Sequence, residues 1–202
     1  FFEKLSGRGV PVRCLMLNFV FGVAVIVWVP FGDSVAMNGA AITLSFCAGP
    51  IAVYALRTQY PEAARRFKLP AVEFFAPVGF VVATLIVFWS GWSTTWRLGA
   101  VVLVGLVFYA ARTVLYQKAR EDLDLGEGIW LIPYGVGLGV LSYLGVYGGG
   151  LGIIFFPYDL VAVCLFALLI FWYAQRCRLS LEKAELYRER YATELPADTT
   201  PL

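Results

Sequence analysis

The residues best placed to meet a solute lie in one apolar run. Asn38, Ala41, Ser45, Ala48, Gly49 and Ala52 recur at helical spacing and predict one narrow, small and partly polar stripe. Two roles fit such a stripe: close packing against a neighbouring helix, or the border of a solute pathway. Asn38, Ser45 and Gly49 are the candidate pathway residues. Pro50 follows directly; it lacks an N–H and crowds the carbonyl of Phe46, so a bend is expected beside the stripe. Other reactive groups read more plainly. Glu73 is within a turn of Lys68 and is expected to reach solvent, although an acid at membrane depth is otherwise a functional group. Asp159 follows Pro157 and is expected in the first turn of a helix, where a negative charge suits the dipole. Asp33 falls at the opposite end of the molecule from the basic loops.

Several chemistries are poorly supplied. There is no histidine, so Ser-His-Asp catalysis, histidine bases and histidine metal sites are excluded. Cys14, Cys47, Cys164 and Cys177 include no CxxC pair, and a buried free cysteine acts as a small hydrophobe. Gly135-x-Gly137-x-Gly139 and Gly148-Gly149-Gly150-x-Gly152 lack the preceding strand and the lysine of a nucleotide loop. Gly135 and Gly139, four apart, suit close helix contact, and the second cluster a tight turn. No catalytic residue, cofactor or metal is expected, and the chain is not expected to be an enzyme. A lipid-modifying membrane enzyme would need polar groups gathered at one depth, which the missing histidine and deep carboxylates argue against.

The elements that position these residues follow from composition. The chain has 202 residues, 60% hydrophobic and 15% charged, with mean hydropathy +0.74. Soluble domains run closer to about half apolar and a quarter charged. A bilayer core asks about 20 apolar residues of each helical span. Six runs approach that length: Val12–Val29, Val35–Leu56, Ala71–Trp89, Leu98–Tyr116, Ile129–Tyr147 and Ile154–Ala174. None alternates as a barrel strand would, and an open sheet leaves its edges unsatisfied in lipid. The expected fold is an all-α polytopic bundle of six transmembrane helices.

Orientation follows from the cations. Of the sixteen Lys and Arg residues, only Arg97 falls on the loops of one side. The rich side is expected to be cytoplasmic, which places both termini there. Trp28, Trp89, Trp92 and Trp96 fall at outer span ends, Trp130 and Trp172 near inner ones, as headgroup-level indoles should. The segment after the sixth span reads as a short surface helix followed by disorder.

ALRTQYPEAARRFKLP, from Ala55 to Pro70, resembles the cytoplasmic loop of the amino acid–polyamine–organocation (APC) transporters. There a helix ends in Leu-Arg-Arg and continues through Pro-Asp/Glu to Phe-Arg/Lys-Val/Leu-Pro. Gly9-Val10-Pro11-Val12-Arg13 is similar to the family's entry to its ninth helix, and Trp89-Ser90-Gly91-Trp92 is family-like. SYLGVYGGGLGIIFFPYDL, from Ser142 to Leu160, resembles the extra hairpin of fourteen-helix bacterial members. The resemblance implies a LeuT-like fold in which residues 1–118 match helices nine to twelve, 119–176 the extra hairpin and 177–202 a cytoplasmic tail. It implies secondary transport of an amino acid with H⁺ or Na⁺ in the bacterial inner membrane. It further implies that the substrate helices, the first and sixth, lie in N-terminal helices of a parent permease not present here. Only the run holding Asn38 would border the vestibule, and no substrate ligand carries over. The opening Phe1-Phe2-Glu3-Lys4 fits a fragment. The alternative is a non-transporting membrane scaffold or assembly subunit.

Overall fold

The helices begin and end where backbone chemistry forces them to. The computed structural model describes residues 11–62, 67–115 and 125–186. The first helix, α1 (Val12–Trp28), meets the second, α2 (Phe31–Gln59), across Val29 and Pro30 alone. The expected turn at Pro30–Asp33 is therefore mostly the first turn of α2. At its other end α2 runs through Arg57-Thr58-Gln59 and stops at Tyr60, whose helical conformation the following Pro61 disfavours. The third helix, α3 (Val72–Trp89), turns through Ser90 and Gly91 into α4 (Trp92–Leu115). A 3-10 turn at Leu125–Gly128 leads into α5 (Leu131–Leu144), and an extended glycine-rich connection reaches α6 (Tyr158–Arg176).

Six apolar helices are present among the described residues, and α2, α3, α4 and α6 are long and apolar enough to cross a membrane. At about 1.5 Å per residue, α2 spans about 43 Å and exceeds the hydrocarbon core, so its Arg57 end reaches headgroup depth. The other two are shorter, α1 with 17 residues and α5 with 14. The expected fifth span loses Ile129 and Trp130 to a turn before α5 and stops at Gly145, and the expected sixth begins as a helix only at Tyr158. The fold is the expected all-helical membrane bundle. The connector after Tyr116, the loop residues 63–66, the Gly9-Val10 entry and the end of the tail lie outside the described residues.

α3 is the hub, packed chiefly on α2 and α6 and more lightly on α4 and α5. Its Phe80 is fully buried, with ring centroids 5.5 Å from Tyr134, 5.9 Å from Phe171 and 6.2 Å from Trp130. Lipid tails are as apolar as leucine, so this interlocking, not escape from water, holds the helices together. Small residues make room: Ala40 and Cys47 on α2, Ala76 on α3, Ala167 and Ala174 on α6 are all buried. Hydroxyls within the helices satisfy themselves. Thr43, Ser45, Thr84 and Ser90 each donate to the carbonyl four residues back.

Two stretches stand outside this packing. No residue of α1 is buried, and residues 99–108 of α4 are all exposed. Thr94, Thr95 and Leu98, in the first two turns of α4, are buried.

Candidate pathway face on the second helix

α2 has three faces, and the candidate residues share one. Ala40, Leu44, Cys47, Ile51 and Tyr54 form the line turned into the bundle. Asn38, Ser45, Ala48, Gly49 and Ala52 are exposed, and Ala41 is half-buried. At 3.6 residues per turn their stripe lies about 130° around the helix from the core line. Val35, Ile42, Phe46 and Val53, bulky and exposed, follow it on the far side. Within this chain the stripe is thus not the surface against which α2 packs. Ser45 Oγ donates to the Ala41 carbonyl at 3.0 Å, and a Cβ added at Gly49 would meet nothing within 4 Å.

Pro50 sits inside a helix that continues on both sides of it. Its ring meets α3 where a side chain is missing: a Cβ on Gly79 would lie 3.5 Å from Pro50 Cγ. The residue that removes a backbone hydrogen bond is braced by α3, at the level of the stripe but about 150° around the helix from it.

The buried polar centre escaped the reading of the sequence. Tyr134, 2% exposed, places its hydroxyl 3.4 Å from Cys47 Sγ and 3.4 Å from Thr84 Oγ1. It thereby ties α5 to α2 and α3. Thr84 also donates to the Phe80 carbonyl at 2.8 Å. The available signal was that polar groups, those of Cys47, Thr84 and Tyr134 among them, stand inside long apolar runs. Such groups, taken out of water, need partners, and these partner one another.

The remaining candidates fall at the ends of the bundle. Arg97 of α4 donates to Asp33 of α2 at 2.6 Å, with both side chains partly exposed. Pairs of this kind contribute about 0–1 kcal/mol. Asp33→Asn is therefore expected to shift thermal unfolding in detergent only slightly, and a loss above roughly 2 kcal/mol would mean a desolvated pair. Glu73 is exposed in the first turn of α3. Asp159, in the first turn of α6 and 2% exposed, accepts the Leu160 N–H at 2.7 Å, while its other oxygen is buried without a partner. Gly135 and Gly139 have nothing within 4 Å of an added Cβ, so they are not the contact glycines expected. Gly137 is the contact glycine, its face covered by the Phe166 ring. The face of α5 toward α6 runs through Tyr134, Gly137, Leu138 and Leu141, an i, i+3, i+4, i+7 line that misses both outer glycines.

At the charge-rich end, Gln175 donates from Nε2 to the Ile51 carbonyl at 3.0 Å, while its Oε1 is buried and has no partner. Leaving such an acceptor unmade costs about 1–3 kcal/mol. Arg178 donates to Thr58 Oγ1 at 2.7 Å, joining the segment after α6 to the end of α2. Among the described residues no three metal-ligating side chains come together.

These features define a polytopic bundle of apolar helices, with a buried polar centre at Tyr134 and one small-residue face left open. The chain is 31% identical, over 86% of its length, to an aspartate-proton symporter of Bacillus subtilis, and covers 34% of that protein. It is 27% identical, over 82% of its length, to a glutamate/serine transporter of the same organism, and covers 31% of it. The chain therefore spans about a third of the length of these curated relatives. No family model matches it, and no solved structure matches it. The similarity is to amino-acid transporters in both cases.

Proposed function

We propose that the chain is the C-terminal part of a secondary amino-acid transporter of the APC superfamily, working by symport with H⁺ (or Na⁺). In this reading residues 1–118 supply helices nine to twelve, 119–176 an added hairpin and 177–202 a cytoplasmic tail. The protein sits in the bacterial inner membrane with both ends inside, the side that holds all its Lys and Arg except Arg97. The remaining N-terminal helices of the parent cover α1, the outer reach of α4 and the stripe on α2. Asn38, Ser45 and Gly49 then line the way to the substrate, at the level of the Pro50 break. The observation that carries this is the placement of that stripe. Small and polar groups occupy an exposed face next to a bulky apolar one, an arrangement suited to a helix contact or pathway and not to lipid tails. Aspartate, glutamate and serine are the substrates to try first, since the relatives are named for them.

The test is made in the transporter that carries this chain. A Cβ at Gly49 meets nothing within 4 Å and the residue is exposed, so a loss in Gly49→Leu is expected to come from what lies against the stripe. Overpacking a filled interface costs about 1–3 kcal/mol, and uptake should fall about tenfold or more at unchanged membrane levels. Phe46→Leu, on the neighbouring bulky face, should stay within about twofold. Unchanged uptake in Gly49→Leu would turn the stripe toward lipid and remove it from the pathway.

A further inference from the structure

We propose that the cleft between the ends of α2 and α6 binds the headgroup of an anionic phospholipid, with phosphatidylglycerol as the probe. The cleft measures about 390 Å³ and is lined by Tyr54, Thr58, Trp172, Gln175, Arg176 and Arg178. Both arginines are exposed, and among the described residues neither has a carboxylate partner: the ion pair there is Asp33–Arg97, at the other end. Two guanidinium groups on one cleft present the planar, forked donors that suit a phosphate. Arg176 also stands in the last turn of α6, so the helix dipole holds its cation in place without neutralising it.

The ligand is a lipid and not a free anion because of what adjoins the arginines. Trp172 packs edge-on against Tyr54, ring centroids 5.7 Å apart, and is half-exposed, at the depth where indoles anchor to headgroups. Leu165, Leu169 and Trp172 follow one another along a single exposed face of α6. That face leads from the cleft toward the bilayer interior and suits an acyl chain. Gln175 also lines the cleft, but its amide is turned inward to the Ile51 carbonyl and its oxygen is buried, so the charge of the headgroup falls to the two arginines. The inference rests on the chain lying in a membrane and is independent of transport.

Native mass spectrometry of the detergent-purified chain tests it. Phosphatidylglycerol should be retained under activation that strips phosphatidylcholine. Arg176→Gln and Arg178→Gln should each lower retention about fivefold, the effect of one cation at an anionic membrane surface. Lys68→Gln, a cation of the same end but outside the cleft, should change it by less than twofold. Both cleft arginines are exposed, so the variants should stay monodisperse, and Arg176→Gln, which leaves the Arg178–Thr58 hydrogen bond intact, serves if Arg178→Gln does not. Equal retention of the two lipids, or equal losses in all three variants, would overturn the site. Displacement of the lipid by excess inorganic phosphate would assign the cleft to a free anion and overturn the lipid.

Discussion

Gly148→Val is expected to yield no monodisperse protein in detergent. Gly148 has φ +62° and Gly91 φ +81°, a backbone region closed to β-branched residues. The two glycines also touch. A Cβ on Gly148 would lie 2.7 Å from Gly91 Cα and 3.0 Å from Trp92 N, and a Cβ on Gly91 would lie 2.6 Å from Gly148 Cα. The obstruction is backbone on both sides, so no rotamer change relieves it. Across this contact Trp92 N–H donates to the Tyr147 carbonyl at 3.0 Å and Ser93 N–H to the Gly148 carbonyl at 2.9 Å. The pair thus fastens the α3–α4 turn to the α5–α6 connection, and separating the strands of chain breaks both hydrogen bonds. Left-handed strain of about 1–2 kcal/mol, overpacking of about 1–3 and two lost bonds of about 1 each together rival a typical total stability of about 5–15 kcal/mol. Gly149→Ala separates the causes. Its φ is +88°, but nothing lies within 4 Å of the added carbon, so it should cost only the strain. Equal thermal stability of Gly148→Val and Gly149→Ala by size-exclusion and melting assays would show that the glycine contact does not hold the turns.

What could be read from the sequence follows from which interactions are local. Long apolar runs specify helices because lipid offers backbone groups no other partner; each of the six expected runs holds a helix among the described residues, though the fifth and sixth are helical over only part of their length. Boundaries failed where polar residues mislead. Ser93-Thr94-Thr95 look like a loop, yet they form the first turn of α4, with Thr95 donating to the Gly91 carbonyl at 2.9 Å and accepting from Ser142 at 3.3 Å. A hydroxyl that bonds its own helix needs no water, so its presence does not mark a surface. The stripe on α2 was legible as a stripe, because its spacing is a property of one helix. Which way it faces was not, since that depends on where Leu44, Cys47 and Ile51 find partners on α3, α5 and α6. The Tyr134 centre was hidden for the same reason: its three members come from three helices, and no spacing along the chain relates them. The same limit explains the glycines of α5. Sequence gives the four-residue interval of Gly135 and Gly139, whereas the ring of Phe166 on α6 selects Gly137.

Reconstituted by itself into liposomes, the 202-residue chain is expected to take up no more aspartate, glutamate or serine than empty vesicles under an inward proton gradient. An amino acid enters as two opposite charges, and each loses several kcal/mol of hydration unless the protein replaces it. Transporters built on inverted repeats do this at the repeat interface, with the exposed ends of broken helices. Nothing comparable is assembled among the described residues. Asp159 is the buried charged residue there, and the buried hydroxyls of Thr84, Thr95 and Ser142 are engaged with one another or with backbone and Tyr134. The middle of the bundle is filled by Phe80, Tyr134 and Phe171, so a solute finds no room between α3, α5 and α6. The open stripe holds Asn38 and Ser45, but on an exposed face they give a solute little to exchange for water. Uptake that exceeds empty vesicles and collapses with a protonophore would place a complete site within these helices. Uptake by the parent transporter but not by this chain would mean that α2 is one wall of a pathway whose binding groups belong to the other helices. Uptake by neither would favour the scaffold.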